Sequence, residues 1–293
     1  MISGILLLDK PAGLSSNAAL QRVRRLLGAN KAGHVGSLDP LATGMLPICL
    51  GEATKVAGDI VAGRKLYRFS VTLGTRTATG DTEGEPVETA PVPTIEAAQL
   101  QSVLERFHGR QTQVPPMYSA LKRDGQPLYK LARAGIEVER APREIEIASL
   151  RLLTREESVL ALEVLCSKGT YVRTLAEDIA RALGTCGHVT ALRRVYVEPF
   201  VDAPMQTLDE ITAICEGGRR PNLLAPDEPL RHLAAVSLDV EAARRVRQGQ
   251  AVAAAEPVQD GRVRLYGAAG EFLGLGEAAH GEVRPRRLLA PGG

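Results

Sequence analysis

GHVGSLDPLATGML, the stretch from Gly33 to Leu46, holds three glycines and one proline in fourteen residues. Such a backbone turns sharply and lets a ligand approach closely. Asp39 is its sole carboxylate, and Pro40 beside it stiffens its position. An Asp-Pro in a glycine-rich setting is also a plain turn starter, and residue type alone does not separate the two readings. A phosphate-binding loop does not fit, because the stretch lacks GxxxxGK[ST] and His34 is its only basic candidate.

Outward from this stretch, Ile5 to Leu8 suits a buried strand. Ser15 or Ser16 can cap a helix from about Asn17 to Leu27, ended by Gly28, with Leu20, Val23 and Leu27 on its buried face and Arg22 and Arg25 outward. Met45 to Leu50 is a short apolar run, followed by a helix from Glu52. Lys65 to Leu73 alternates, with Tyr67, Phe69, Val71 and Leu73 on one side, as a half-buried strand does. Thr75 to Pro93 reads as a polar loop, Thr94 to Phe107 has helical spacing, and Asp124-Gly125 signals a hairpin. Glu144 to Leu153 and Val159 to Cys166 are strand-like and joined by a turn over Thr154 to Glu157.

SKGTYVRT, Ser167 to Thr174, turns at Gly169 from a strand into a helix that Thr170 can cap, with Tyr171 and Arg173 in its first turn. Tyr171 and Arg173 there, like Tyr67 in its strand, are explained equally well by packing and surface charge. The Pro/Gly-rich stretch Gly217 to Pro229 looks like a boundary. Beyond it, a helix over Asp239 to Gln248 and alternating strands at Arg262 to Tyr266 and Glu271 to Leu275 suggest a small closed or half-closed β-barrel. Strands mixed with helices, without βαβ alternation, point to an α+β fold.

The chain has 293 residues, 44% hydrophobic and 24% charged, enough for a large domain and a small one. No run is apolar enough to span a bilayer, and the amino terminus lacks the features of a signal peptide, so a cytoplasmic protein is expected. Cys49, Cys166, Cys186 and Cys215 are far apart and form no CxxC pair, so reduced thiols and no metal site are expected. Net charge is only +2. Any affinity for nucleic acid must therefore come from clusters: Arg22, Arg24, Arg25 and Lys31; Arg193 and Arg194; Arg284, Arg286 and Arg287. Each cluster alone also reads as a solvated face.

Six segments together resemble one family. They are GILLLDKPAGLSS (residues 4–16), AGHVGSLDPLATGMLPICLGEATK (32–55), PPMYSALKRDGQPLYKLAR (115–133), CSKGTYVRTLAEDI (166–179), HVTALRRV (188–195) and GEFLGLGEAAHGEVRPRRLL (270–289). In this order they resemble the motifs of the bacterial TruB family, the tRNA pseudouridine-55 synthases, and the last is similar to that family's PUA-like domain. The resemblance implies a catalytic domain over 1–229, with a mixed, largely antiparallel sheet flanked by helices and loops and an RNA-contacting insert at 75–143. A PUA-like β-barrel domain over 230–293 would follow.

The resemblance also implies an isomerase that moves C1′ of a T-loop uridine from N1 to C5 of the base, with no cofactor and no metal. Asp39 matches the family's catalytic acid, which attacks C1′ or takes the 2′ proton. Arg173 matches the arginine that holds this acid, and such a cation is expected to lower the pKa of Asp39. Tyr67 matches the tyrosine beneath the flipped uracil and is a candidate for moving the C5 proton. His34 matches a contact to displaced loop nucleotides, Tyr171 and Leu192 match positions lining the uracil pocket, and Asp81 matches a loop acid that orients the base. Ala78 and Ala191 depart from the usual pattern beside Asp81 and Leu192. The implied partner is tRNA, through its T arm and T loop, read by a monomer with no membrane and no obligatory protein partner. Two alternatives remain at this point: an RNA-binding protein that helps tRNA fold, and a guide-RNA-dependent synthase.

Overall fold

A computed structural model describes residues 2–290. In chain order the elements are β1 (Gly4–Lys10), α1 (Ser16–Leu26), β2 (Ala32–His34), β3 (Thr43–Leu50), a 3-10 turn (Gly51–Val56), α2 (Ala57–Ala62), β4 (Lys65–Leu73), β5 (Thr75–Thr77) and β6 (Pro86–Thr89). Then come α3 (Ala97–Glu105), β7 (Gly109–Gln113), β8 (Lys122–Arg123), β9 (Gln126–Pro127), α4 (Leu128–Arg133), β10 (Arg143–Glu156), β11 (Val159–Cys166), α5 (Val172–Ala182), β12 (Gly187–Val197), β13 (Gln206–Thr207) and α6 (Leu208–Glu216). The tail holds β14 (Ala234–Ser237), α7 (Val240–Arg247), β15 (Val252–Ala253), β16 (Gly261–Tyr266), β17 (Phe272–Ala279) and β18 (Glu282–Leu288).

The main sheet runs β13-β1-β3-β12-β4-β11-β10-β7, with β2 paired to β3. Only β1 with β13 and β3 with β12 are parallel; every other pairing in it is antiparallel. β1 explains the unbroken run of apolar residues at the amino terminus. Leu6 and Leu8 enter the core shared with α1, α3 and α5, while Ile5 and Leu7 enter a second core on the other face with Met45, Cys49, Ile60 and Val197. A strand buried on both faces cannot afford polar alternation. β4 is covered mainly on one side, and its register is thereby fixed, since a slip of one residue would expose Phe69, Val71 and Leu73.

α1 starts at Ser15, whose hydroxyl accepts from the Ala18 amide at 3.1 Å, and it buries Leu20 and Val23 while Arg22, Arg24 and Arg25 stay exposed. Asp124 and Gly125 form the β8–β9 turn with φ of 49° and 81°, the left-handed pair a tight hairpin needs. Three local expectations fail. The polar segment Thr75 to Pro93 is not all loop, since β5 and β6 pair within it. β10 continues to Glu156, so the turn expected over Thr154 to Glu157 is confined to its end. Thr170 does not cap α5: its hydroxyl donates to Ser167 O at 3.0 Å, and Tyr171 occupies the cap position.

The tail forms a five-stranded curled sheet, β14-β16-β17-β18-β15, consistent with a PUA-like half-barrel. Its helix α7 is capped by Asp239, whose carboxylate accepts from the Ala242 amide at 2.7 Å. Leu230 and Leu275 join the second core of the main domain. Around them Arg262 pairs with Asp59 at 2.7 Å, Lys55 donates to Leu288 O at 2.8 Å, and Arg287 donates to Lys55 O at 3.0 Å. An apolar contact ringed by these polar ties docks the small sheet against the 3-10 turn and α2.

The charge clusters need correction. Arg194 is 1% exposed and lies inside the main domain, and its neighbour Arg193 is taken up by Asp9 at 2.8 Å. Arg286 pairs with Glu277, and Arg287 faces the domain junction. The exposed arginines of α1 keep their surface character.

Gly44 has φ +97°, and a Cβ there would collide with the Arg194 carbonyl, whereas Gly58 in α2 has nothing within 4 Å of a built Cβ. Gly44→Ala is therefore expected to lower the Tm by about 5–10 °C. Gly58→Ala should leave it unchanged or slightly raised. Thermal melting checks both; equal Tm values for Gly44→Ala and the wild type would contradict the fold around this strand.

Candidate active site

The loop between β2 and β3 carries Asp39 and is fixed from two sides. On the α1 side, the Leu38 amide donates to Ser16 Oγ at 2.7 Å, and that hydroxyl donates back to Leu38 O at 2.9 Å. On the β1 side, the Gly13 amide donates to Pro40 O at 2.8 Å, and Lys10 Nζ reaches the same carbonyl at 3.2 Å. Lys10 is fully buried, donates also to Pro11 O and Leu14 O at 2.8 and 2.7 Å, and is brought down to about 8 by burial, with Asp39 acting against that. These ties leave Asp39 little freedom except in its side chain.

The Asp39 carboxylate meets Arg173 in a two-pronged pair, Nε to Oδ2 at 2.9 Å and Nη2 to Oδ1 at 3.2 Å. The Arg173 side chain is 5% exposed and that of Asp39 37%, so the cation is sealed behind an accessible acid. The remaining guanidinium donors go to Thr79 O at 2.6 Å and Tyr118 O at 2.7 Å. Burial pushes the Asp39 carboxyl above its ordinary value, Arg173 opposes that rise and Asp81 adds to it. Arg173 thus lowers the pKa as expected, but burial outweighs it and the net direction is upward. The guanidinium opposes desolvation without exceeding it, and the nearby Asp81 charge works against it.

Asp81 does not face open space. It is 2% exposed, lies 3.8 Å from Arg173 Nε, and accepts from Thr79 Oγ1 at 2.5 Å and the Glu83 amide at 3.0 Å. Its contacts support the loop and Arg173. Tyr171 sits at the start of α5, where the Gln113 side chain brackets its backbone, accepting from the amide at 2.8 Å and donating to the carbonyl at 3.1 Å. Burial raises its phenol.

Tyr67 is buried on β4, and burial raises its phenol too, with the Arg194 charge acting against this and the Asp39 charge adding to it. Leu192 lies beside it on β12, opposite Phe69. β12 pairs with β3 only through Arg193–Thr43 and Arg194–Gly44, which leaves the Leu192 edge without a strand neighbour on that side. His34 on β2 is half-buried and held towards its neutral form, by burial first and by Arg194 second, and its Nδ1 has no partner. Of the seven expected residues, the structure joins Asp39, Arg173 and Asp81 directly, and Tyr67 and Tyr171 lie near enough to feel the Asp39 charge; His34 ends β2 just before the loop, and Leu192 is placed on β12 opposite Phe69.

Lys10 and Arg194 escaped the sequence reading. Arg194 was legible in principle, because strand neighbours face opposite sides, so Arg193 and Arg194 cannot share one surface. Among the described residues no group of three or more His, Cys, Asp or Glu is placed to hold a metal ion. No described helix is long and apolar enough to cross a membrane.

Residues 24–172 match the family model for the N-terminal domain of TruB family pseudouridylate synthases. Residues 173–234 match the tRNA pseudouridylate synthase B C-terminal domain, and 234–289 the C-terminal domain of pseudouridine synthase II TruB. Proteins named tRNA pseudouridine synthase B are similar along nearly the whole chain. That of Nitrosococcus oceani is 49% identical over 98% of this chain and 95% of its own, and that of Aromatoleum aromaticum 51% over 99% and 94%. Among solved structures, a Cbf5-Nop10-Gar1 complex contains a chain with TM-score 0.73 and 24% identity, matched over 98% of this chain and 85% of that one, a likeness of fold. On this sequence similarity the chain belongs to the TruB family of pseudouridine synthases.

Proposed function

We propose that this protein is a tRNA pseudouridine-55 synthase that acts on the T loop as a cytoplasmic monomer without a guide RNA. The observation that carries the reading is the accessible Asp39 carboxylate backed by the sealed Arg173 guanidinium. A carboxylate so held is fixed in direction and open on one side, as a nucleophile or base at a sugar requires. The identity of about half of all residues to proteins named tRNA pseudouridine synthase B supports the substrate.

The reaction breaks N1–C1′, forms C5–C1′ and moves the C5 proton to N1, so no outside group or electron is needed. Asp39 enters at the sugar, either attacking C1′ or taking the 2′ proton. The uridine must leave its stack, at a cost of a few kcal/mol, and the aromatic rings of Tyr67 and Tyr171 are assigned to receive it. Tyr67 is assigned the proton transfer at the base, Leu192 the base edge, and neutral His34 the displaced loop. The insert over 75–143 contributes Thr79 O and Tyr118 O to Arg173, so a segment assigned to RNA contact also braces the catalytic acid.

The direct test is incubation of the purified protein with an unmodified T-arm stem-loop and mapping of pseudouridine by position. The expected product lies only at position 55, and Asp39→Asn should keep RNA binding while making none. No product from the wild type, product elsewhere, or full activity in Asp39→Asn would overturn the reading. A second test concerns pH. Because Asp39 must be ionised and burial raises its pKa, the single-turnover rate should fall as pH drops through a value above the ordinary carboxylate figure of about 3.9. Arg173→Lys, which loses the fork, should move that acid limb to higher pH and cut the rate by about 10²-fold. An unshifted limb would remove Arg173 from this role.

A further inference from the structure

Arg194 is 1% exposed and, with Lys10, heads the fully buried side chains by size. A buried cation must satisfy its donors internally. Arg194 does so with carbonyls of the catalytic loop: Nε donates to Met45 O and Nη2 to Gly36 O, both at 2.7 Å. These two carbonyls lie on the two sides of Asp39, so one guanidinium spans the base of the loop. Gly36, at φ +71°, would place a Cβ 3.1 Å from Nη1, and the glycine allows this close wrapping. The third contact is Nη1 to the Tyr67 hydroxyl, at 3.5 Å. That is long for a hydrogen bond, yet it sets a fixed positive charge beside the phenol. The placement follows from the sheet, since Arg194 on β12 and Tyr67 on β4 are direct cross-strand partners.

We propose that Arg194 is the positioning residue for Tyr67, locking the phenol oxygen to the frame of the Asp39 loop so that the sugar-directed acid and the base-directed hydroxyl keep one geometry. This assignment rests on the functional reading above. The charge also acts on the phenol itself, since Arg194 opposes the rise that burial imposes on Tyr67.

The test is a double-mutant cycle on the full chain with the T-arm stem-loop, using wild type, Arg194→Lys, Tyr67→Phe and the double variant. Single-turnover rate at saturating enzyme and half-saturating enzyme concentration are read separately. Arg194→Lys should lower the rate by about 30–100-fold, with half-saturation within about 3-fold of wild type. In the Tyr67→Phe background the same substitution should cost less than about 3-fold, because the group it acts through is already gone. Should Arg194→Lys fail to fold, Arg194→Gln, which keeps an amide donor for the loop carbonyls, carries the same cycle. Losses that multiply in the double variant, or that fall on half-saturation, overturn the assignment to Tyr67. An inactive wild type overturns the functional reading instead, and this assignment with it.

Discussion

The Arg173 guanidinium is the constraint on which the rest of the site depends. It is sealed from solvent and joins Asp39 from the β2–β3 loop, Thr79 and Asp81 from the β5–β6 segment, and Tyr118 from the β7–β8 connection. It reaches them from the first turn of α5, which packs on the main sheet. Four segments far apart in sequence therefore share one charge. A buried cation missing any partner is costly, so each segment is held where the others require it. Burial of this charge network is also what raises the proton affinity of Asp39.

A second guanidinium, Arg194, repeats the arrangement one layer deeper. Arg173 fixes the exposed end of the loop at Asp39, and Arg194 fixes its base at Gly36 and Met45. Ser16 and Lys10 close the two flanks. The loop is glycine-rich because it wraps closely around these groups, with Gly36 against Arg194 and Gly44 against its backbone. The glycine-rich stretch is tied at its base and on both flanks, which is the preorganisation that the role proposed for Asp39 requires.

Much of the frame was legible in the residues. The alternation of Lys65 to Leu73, the Ser15 cap, the Asp124-Gly125 turn and the helix after Asp239 follow from period and local chemistry, and each forms as read. The β5–β6 hairpin was not legible, because its strands are short, polar and exposed over β6, with no buried face to impose alternation. Thr170 failed as a cap since Gln113, distant in sequence, takes over the bonding at Tyr171. The Asp39–Arg173 pair was implied by the family resemblance, but the upward direction of the Asp39 pKa was not. Two of the groups that hold Arg173 are main-chain carbonyls, which leave no mark on residue type, and the balance between burial and a shared cation is set by the folded geometry. Asp39 itself stood out only through its company in the family motifs.

The central claim is that a rigidly held Asp39 meets the sugar of a uridine drawn out of its loop. A crystal structure of the protein bound to a T-arm stem-loop measures this directly. The claim predicts that uridine 55 is unstacked, with the Asp39 carboxylate within about 3.5 Å of C1′ or of the 2′ hydrogen-bearing carbon and the Asp39–Arg173 pair intact. A uridine still stacked in the RNA, or an Asp39 carboxylate turned away from its sugar, would contradict it.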